Sequence, residues 1–369
     1  MKKLNIKNIL VPIDFSRMSI QAIELAKAFA KRFGATVHLA HAHEFFYPAG
    51  FAGPASPILP YPVLTYDSES EKRAGRELIE IAKRSGLSST TTHVLCGSPP
   101  FEEICRLARN LPTDLIVMPT HGRTGLKHVV LGSTAERIVQ HSPCPVLVVR
   151  DQKRQSKNGS RISKTILVPV DFSHCSLAGL KYAIGFADKV GAKLILLHVV
   201  AYHYVTNGWV TYELTEATRT AEKEAEQQMK KFLSDVKFGG VRFETAIVNG
   251  NSVDKICDYA REHEVDLIVT STHGRTGFNH VLIGSVAENV VRRAPCSVVA
   301  VPSFPRARTT EVIRGHATFP RETTRPASTK VPRSLIEREK LTRKRPKLTA
   351  HPFPERRKMN RFRETRLVQ

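Results

Sequence analysis

The sequence contains little that would cross-link the chain, carry it through a bilayer or hold a metal cluster. Its six cysteines lie far apart and form no Cys-x-x-Cys pair, which excludes a zinc cluster and a thioredoxin-like redox motif. No stretch reaches the ~18 consecutive apolar residues of a membrane span. Pro12 and Asp14 interrupt the N-terminal apolar run too early for a signal peptide. These features predict a reduced, cytoplasmic protein without a transmembrane segment.

Acidic residues are also scarce, since 34 Asp and Glu stand against 56 Lys and Arg, for a net charge of +22. The imbalance is concentrated in residues 306–369, which contain 19 basic residues, 6 acidic residues and few apolar ones. That composition predicts a disordered basic tail. Two interpretations of the tail stay open. It either contacts nucleic acid or an anionic surface by non-specific electrostatics, or it is a soluble extension without a dedicated partner.

The rest of the chain contains one unit twice. The segment VPIDFS at 11–16 recurs as VPVDFS at 168–173, and the segments THGRTG and GSTAERIV also have second copies. Such duplication indicates two domains of one fold, each of about 150 residues. We predict a first copy over 1–150, a polar linker, a second copy over 162–305, and the tail 306–369.

Within each copy, short β-branched runs alternate with segments of helical period. In the first copy this pattern predicts strands at 9–13, 36–41, 90–95, 115–118 and 146–149, and helices at 16–32, 68–84, 99–109 and 133–140. The alternation predicts an α/β fold in which each copy is a doubly wound open parallel sheet. Ligands bind such sheets beyond the carboxyl ends of the strands. The Pro-x-Asp and THGRTG motifs follow strands 1 and 4, so they face each other across one crevice if those strands are neighbours.

The segment after strand 4 has the features of a phosphate-binding loop. Its glycines permit close approach of an anion to the backbone, and the amides of the helix that follows would point at that anion. We expect Ser133 to begin this helix and to form a capping box with Glu136. A glycine-rich turn before an ordinary helix cap is the structural alternative. The candidate phosphate-binding residues are Gly122, Arg123, Gly125, Gly132 and Ser133 in the first copy and Gly274, Arg275, Gly277, Gly284 and Ser285 in the second.

Asp14 and Asp171 lie directly after strand 1 of their copies. Each carboxylate is placed to accept a hydrogen bond from a base or a ribose, or to cap the next helix. Ser16 and Ser173 would serve equally as caps. The loop arginines are candidates to neutralise phosphate, or are simply solvated. No group in the sequence is assigned a catalytic role.

Histidines and cysteines recur between the copies without forming a reactive set. His121 and His273 have no nucleophile and no second carboxylate at a spacing that would pair with them, so we expect them to order the loop. Recurrence of cysteines at one offset favours small buried packing residues over reactive thiols. The recurrent cysteine pairs are Cys105 with Cys257 and Cys144 with Cys296.

Together these motifs resemble the universal stress protein family, as a tandem pair. The resemblance also rests on the ends of strand 2, LAHA at 39–42 and LHV at 197–199, and on PCPV at 143–146. It implies a strand order of 3-2-1-4-5, and binding of a small ligand, often ATP, in the crevice between strands 1 and 4. It further implies pairing of domains through strand 5. A tandem chain can satisfy that pairing internally, and a homodimer is the alternative.

The family's ATP-binding pattern is G-x-x-G, nine residues, then G-S or G-T. The first glycine is replaced by Pro119 in the first copy and by Ser271 in the second. Proline lacks the N–H and adds a ring where the ligand approaches, whereas serine keeps the N–H, so we expect the second copy to bind ATP more readily. By resemblance, the glycine and serine positions hold the phosphates. The nucleoside would then contact Pro12, Asp14 and Ala42 in the first copy and Pro169, Asp171 and Val199 in the second.

The sequence thus predicts a nucleotide-binding regulatory module of the stress response, in which ATP, with or without Mg²⁺, biases conformation or partner binding. A slow ATP hydrolase is one alternative, although the chain offers no Walker lysine and no assigned base for water. A scaffold that binds no nucleotide is the other, and Pro119 and Ser271 favour it. The segments 43–66 and 202–212 border the crevice as a lid, a partner-facing surface or packed loops.

Overall fold

The structure is a computed structural model that describes residues 4–43, 68–120, 131–150, 164–201, 211–274 and 283–302, with the backbone alone for 211–217. The predicted linker, most of both segments after the second strands, and the whole predicted tail lie outside the described residues. Within the described part of the chain, no helix combines the length and the apolar character of a bilayer span.

Strands and helices alternate through both copies. The first copy contains β1 (Asn8–Pro12), α1 (Arg17–Phe33), β2 (Thr36–His43), α2 (Ser68–Ser85), β3 (Thr90–Cys96), α3 (Pro100–Asn110), β4 (Leu115–Pro119), α4 (Ser133–His141) and β5 (Val146–Val149). The second contains β6 (Thr165–Pro169), α5 (His174–Val190), β7 (Lys193–Val200), α6 (Thr211–Leu233), β8 (Phe243–Asn249), α7 (Ser252–Glu262), β9 (Leu267–Ser271), α8 (Ser285–Arg293) and β10 (Ser297–Val301). Every predicted element of the first copy is confirmed, with its ends shifted by two residues at most.

The described strands form one ten-stranded sheet in the order β3-β2-β1-β4-β5-β10-β9-β6-β7-β8. Within each copy all neighbours are parallel and follow the expected order 3-2-1-4-5. At the centre, β5 and β10 pair antiparallel, with Val148 opposite Val298. The two expected sheets are therefore continuous, and the pairing of domains through strand 5 takes place inside the chain.

Local signals explain where the first helix of each copy begins and ends. Ser16 caps α1 by accepting a hydrogen bond from the Ser19 amide, and Gly34 ends the helix with φ of 70°. Ser173 and Gly191 play the same parts for α5, where the φ of Gly191 is 76°. A glycine takes this left-handed conformation without the steric cost of a Cβ, so each helix stops at a defined residue.

Helices cover both faces of the sheet and build two apolar cores, and each core contains residues of both copies. In one core α1 meets α5, where the buried rings of Phe29 and Phe186 pack edge to face with centroids 5.4 Å apart. The other core lies beneath α3, α4, α7 and α8 and includes Ile138 and Val290, which are fully buried. Because the cores are shared, the described residues of both copies form one compact unit.

Arg150 ties the end of the first copy to the second. Its Nη2 donates to the carbonyl of Val291 at 3.0 Å, in the last turn of α8, and its backbone N donates to Ser297 Oγ at 3.2 Å. Burial lowers the pKa of the Arg150 guanidinium. A cation at the carboxyl end of a helix also interacts favourably with the helix dipole, so this contact stabilises the joint between the copies.

Candidate functional site

Strands 1 and 4 are neighbours in both copies, since β1 pairs with β4 and β6 pairs with β9. The carboxyl ends of these strands therefore border one crevice, as the sequence predicts. Pro12 and Pro169 are the last residues of β1 and β6. Ala42 and Val199 lie near the carboxyl ends of the adjacent strands, β2 and β7, and both are partly buried.

The acidic turn after strand 1 has the same hydrogen bonds in both copies. Asp171 Oδ1 accepts from the Ser173 backbone N at 3.0 Å and from Ser173 Oγ at 2.6 Å. Asp14 Oδ1 accepts from Ser16 in the same way, at 3.0 and 2.6 Å. Of the two cap assignments left open by the sequence, the serines cap the helices. The aspartates instead stabilise the turn, because the Oδ1 atom of each is held by the hydrogen bonds from the following serine.

Sequence analysis missed the residue that reverses the chain at this turn. Phe15 adopts φ of 63° and Phe172 φ of 65°, a left-handed conformation that costs free energy for a bulky side chain. The Phe15 ring packs on His41 at 4.4 Å, and His41 Nδ1 donates to the carbonyl of Ile13 at 2.7 Å. Phe172 and His198 make the corresponding ring contact in the second copy, with centroids 4.2 Å apart. Two repeated features of the sequence could have indicated this turn. They are the Asp-Phe-Ser segment and the histidine near the end of strand 2, which both copies contain.

In the second copy the acidic turn and the glycine turn meet. A Cβ placed on Gly274 would lie 2.6 Å from Asp171 Oδ2, closer than real contacts allow. A Cβ on Gly284 would lie 3.9 Å from the Gly274 backbone N and 3.5 Å from the Thr272 carbonyl. The Gly284 N–H donates to that carbonyl at 2.6 Å. The backbone at 274 thus lies between the carboxylate and the start of α8, and glycine is the residue that fits there.

Helix α4 begins at Ser133, as predicted, but the residues that cap α4 and α8 differ from the prediction. Gly132 and Gly284 are the N-cap residues and have no side chain to cap the first turn, while Ser133 and Ser285 are the first helical residues and are exposed. The capping box predicted for Ser133 is therefore wrong. A glycine cap lets another group approach the first-turn amides and the positive end of the helix dipole closely.

Glu136, the expected partner in that capping box, bonds across the joint between the copies instead. Its Oε1 accepts from Arg292 Nη2 at 2.6 Å, and the same guanidinium lies 2.9 Å from Glu288 Oε1. Glu136 lies in the first turn of α4 and Glu288 in the first turn of α8. One arginine therefore links the starts of both candidate phosphate-binding helices.

An open cleft of about 440 Å³ lies beside the start of α8. That volume is within the range of small-ligand sites. Ser285 is the predicted site residue that lines it, and Asn251 also caps α7 by accepting from the Val253 amide at 3.0 Å. Sequence analysis missed the rest of this wall. The lining residues are Ala201, Gly250, Asn251, Ser252, Val253, Ser285, Val286 and Asn289.

The model of the universal stress protein family matches residues 5–150 and 163–302 of this chain. The chain belongs to the universal stress protein family. It does so as a tandem form, because the family model matches it twice. A universal stress protein of Methanocaldococcus jannaschii is 30% identical over 145 residues, which cover 39% of this chain and 85% of that protein. Another, from Mycolicibacterium smegmatis, is 25% identical over 306 residues, 79% of this chain and 96% of its own length.

A solved structure shows the same fold as this universal stress protein. The crystal structure of a universal stress protein from Archaeoglobus fulgidus aligns with a TM-score of 0.54 and 22% sequence identity. The alignment covers 80% of this chain and 96% of that one. The shared architecture therefore extends over both copies rather than over one of them.

The departures from the family's glycine pattern lie at the ends of strand 4 in this universal stress protein. Pro119 is the last residue of β4 and is buried, while Ser271 ends β9 and its Oγ donates to the His273 carbonyl at 2.7 Å. His273 Nδ1 lies 3.0 Å from Thr272 Oγ1, so its ring is bonded within the loop. The predicted residues Gly122, Arg123, Gly125, Arg275 and Gly277, and His121, lie outside the described residues.

The recurrent cysteines are buried, as predicted, at 7% exposure or less for all four. Burial raises the pKa of Cys296 to about 12 and also raises that of Cys257. Thiols with raised pKa values are poor nucleophiles, which agrees with a packing role. In the described ranges, no group of three or more His, Cys, Asp or Glu side chains is arranged to hold a metal ion.

Proposed function

We propose that this tandem universal stress protein is a nucleotide-binding regulatory module and that ATP is its ligand. The observation that carries the proposal is the contact between the acidic turn and the glycine turn in the second copy. There Asp171 Oδ2 lies against Gly274, and Gly274 lies against the N-cap of α8. A base or ribose donor and a phosphate chain need these two kinds of group at one crevice.

Each group in the second copy has a distinct part in the proposed complex. Asp171 has Oδ1 held by Ser173, so its carboxylate is preoriented to accept from the nucleoside. Gly284 lets phosphate oxygens approach the backbone, Gly274 makes room for the Asp171 carboxylate within the proposed phosphate loop, and the Ser285 hydroxyl adds a donor at the cleft. Pro169 and Val199 border the nucleoside, and Arg275 and Gly277 belong to the proposed phosphate loop. We propose that ATP binds there either alone or with Mg²⁺ on its phosphates.

We propose a weaker site of the same kind in the first copy, where the described residues are Pro12, Asp14, Ala42, Gly132 and Ser133. Their backbone follows the second copy closely, as the Gly132 N–H donates to the Thr120 carbonyl at 2.8 Å. Pro119 cannot offer an N–H to a ligand, whereas Ser271 retains one. Loss of one hydrogen bond to a charged phosphate weakens binding by about 1.5–3 kcal/mol, or roughly tenfold to 100-fold.

Valine at the N-cap glycines tests both statements. A Cβ at Gly284 has its nearest neighbour at 3.5 Å, so Gly284→Val fits the fold while its methyl groups occupy the space proposed for phosphate. In calorimetric titrations of ATP with and without Mg²⁺, we expect Gly284→Val to lose more affinity than the matched Gly132→Val. A larger loss from Gly132→Val would refute the ranking, and unchanged affinity in both variants would refute the site.

Two further measurements separate this proposal from its alternatives. Saturating Mg-ATP at about 100 times Kd stabilises a binding protein by about 2.7 kcal/mol per site, whereas a scaffold without nucleotide sites shows no change in Tm. cAMP, the ligand in one solved universal stress protein, should be tested in the same calorimetric titration as ATP. Phosphate release above background that disappears in Asp171→Ala would identify a slow hydrolase instead.

We propose a cytoplasmic location for the protein, in keeping with its free cysteines. The pairing of β5 with β10 inside the chain supports intramolecular domain pairing, so a homodimer would use another surface. Size-exclusion chromatography with light scattering measures the molar mass in solution and so distinguishes a monomer from a homodimer. We also propose that residues 306–369 contact nucleic acid or anionic surfaces, and deletion of this tail should then abolish salt-sensitive retention of DNA.

A further inference from the structure

A cluster of two histidines and a threonine lies on the first copy, away from the proposed nucleotide crevice. His38 on β2 and His93 on β3 approach each other, with His38 Nδ1 3.3 Å from His93 Nε2. Thr91 Oγ1 lies 2.7 Å from His38 Nδ1 and 3.1 Å from His93 Nε2. Three atoms that can each offer a lone pair therefore converge on one point between neighbouring strands.

Asn8 determines which nitrogen of His38 faces that point. The Asn8 amide Nδ2 donates to the Pro112 carbonyl at 3.1 Å, which turns Asn8 Oδ1 toward His38 Nε2, also at 3.1 Å. An amide oxygen only accepts hydrogen bonds, so His38 Nε2 carries the proton and Nδ1 carries the lone pair. Metal-binding histidines are typically oriented in this way, by a carbonyl that accepts from the other ring nitrogen.

From this geometry we propose that His38 and His93 form a binding site for a divalent transition-metal ion such as Zn²⁺. Tetrahedral zinc binds imidazole nitrogens at about 2.0–2.1 Å, which places two such nitrogens about 3.3 Å from each other. The two imidazole nitrogens already have this separation. Water completes the coordination, together with the Thr91 oxygen once its hydroxyl proton turns away from His38. A proton on His93 Nε2 is released to solvent or moves to Nδ1 as the ion binds. Imidazole ligands favour Zn²⁺, Cu²⁺ and Ni²⁺ over Mg²⁺ and Ca²⁺.

The position of the cluster makes it accessible and separate from the nucleotide crevice. β3 is an edge strand of the described sheet, Thr91 is exposed and His93 is half-buried, so an ion can reach His93 Nε2 from solvent, while His38 is buried on the neighbouring strand. His38 precedes Ala42 by four residues on β2, or roughly 13 Å at about 3.3 Å per residue. A bound ion would join β2 to β3 at the sheet edge.

The second copy provides a natural comparison because it lacks the cluster. Ile195 occupies the position of His38, Glu244 that of Thr91 and Ala246 that of His93 in the equivalent strand pairing. The proposed site therefore belongs to the first copy alone, with a stoichiometry of one ion per chain. It also means that His38→Ile and His93→Ala introduce residues that the same fold already accepts at these positions.

Calorimetric titration of the metal-stripped full chain with zinc chloride tests the proposal, and the visible absorption of Co²⁺ reports the geometry. We expect one equivalent to bind at micromolar free zinc, and each of His38→Ile and His93→Ala to weaken binding at least tenfold. Asn8→Ala should weaken it about 10–100-fold although both ligands remain. His263→Gln changes an exposed histidine at the end of α7, and this control should bind as the wild type does.

Zinc should also raise the Tm of the wild type and leave that of the His38→Ile/His93→Ala double variant unchanged. Circular dichroism without metal establishes that the variants fold. If His38→Ile fails to fold, the zinc affinity of His93→Ala alone tests the proposal, because His93 is only half-buried. Binding that survives in the double variant would assign the metal to other residues and overturn the proposal. So would a wild type that needs millimolar zinc.

Discussion

Substituting alanine for Gly274 tests the contact on which the proposed nucleotide site depends, without any ligand. The new Cβ would lie 2.6 Å from Asp171 Oδ2, so one of the two groups must move. Gly274 has no positive φ, so backbone strain does not contribute. Asp171 can rotate away only by giving up its hydrogen bonds from Ser173 at 3.0 and 2.6 Å. Overpacking of this kind costs about 1–3 kcal/mol.

A double-mutant cycle isolates that cost. We expect Gly274→Ala to lower the free energy of unfolding by about 1–3 kcal/mol in the wild-type background, and by much less in Asp171→Ala, where the obstructing carboxylate is gone. Urea unfolding followed by circular dichroism measures both steps, and Tm offers an independent scale. Gly284→Ala is the matched control, because its Cβ would have its nearest neighbour at 3.5 Å.

The cycle has a clear failing outcome. If Gly274→Ala costs the same with and without the Asp171 carboxylate, the acidic turn and the glycine turn are not in contact. The same conclusion follows if Gly274→Ala costs nothing in the wild-type background. Either result would remove the structural basis of the nucleotide proposal, whatever the affinity for ATP. A strong dependence on Asp171, by contrast, would support the site even before the ligand is identified.

Three further predictions concern other parts of the fold. Arg292→Gln removes the ion pairs of Arg292 with Glu136 and Glu288, and it should lower the free energy of unfolding by about 1 kcal/mol at low ionic strength. The loss should be smaller in high salt, because the pairs are partly exposed. Equal losses at both salt levels would contradict an ionic origin. Tyr182→Phe removes a buried hydroxyl that makes no hydrogen bond among the described residues, so Tm should stay level or rise. Because burial raises the pKa of Tyr182 in the folded state, ionisation of the unfolded tyrosine costs the wild type stability above about pH 10, a loss absent from the Phe variant. Cys296, with its pKa raised to about 12, should react with iodoacetamide at about pH 8 only after unfolding, as followed by mass spectrometry.

The fold could be predicted because several independent patterns in the sequence agree. Strands such as Leu115–Pro119 are buried on both faces, so they stand out as short apolar runs, and the helices between them show a helical period. Duplication repeated each signal and fixed the length of the unit. The motif resemblance then supplied the strand order. Boundaries were accurate because caps such as Ser16 and Gly34 are encoded by the residues at the ends themselves.

The errors at the site arose where three-dimensional contacts override local patterns. Ser133 and Glu136 match the spacing of a capping box, but Gly132 adopts the extended conformation of the cap, and Glu136 bonds to Arg292, 156 residues later. No local pattern contains that partner. The left-handed Phe15 was missed for the same reason, since the preference of phenylalanine is against it and the supporting ring of His41 lies on another strand.

The antiparallel joint between β5 and β10 frees this protein from the symmetry that identical subunits impose. In a dimer of identical chains, any substitution appears at both sites at once. Here the paired halves are encoded separately, so each can change while the shared scaffold is kept. Proline at 119 against serine at 271, and His38 against Ile195, are differences of this kind. A single polypeptide can therefore have a different binding site on each half of one sheet. The two halves always occur in a ratio of one to one, because they belong to the same chain.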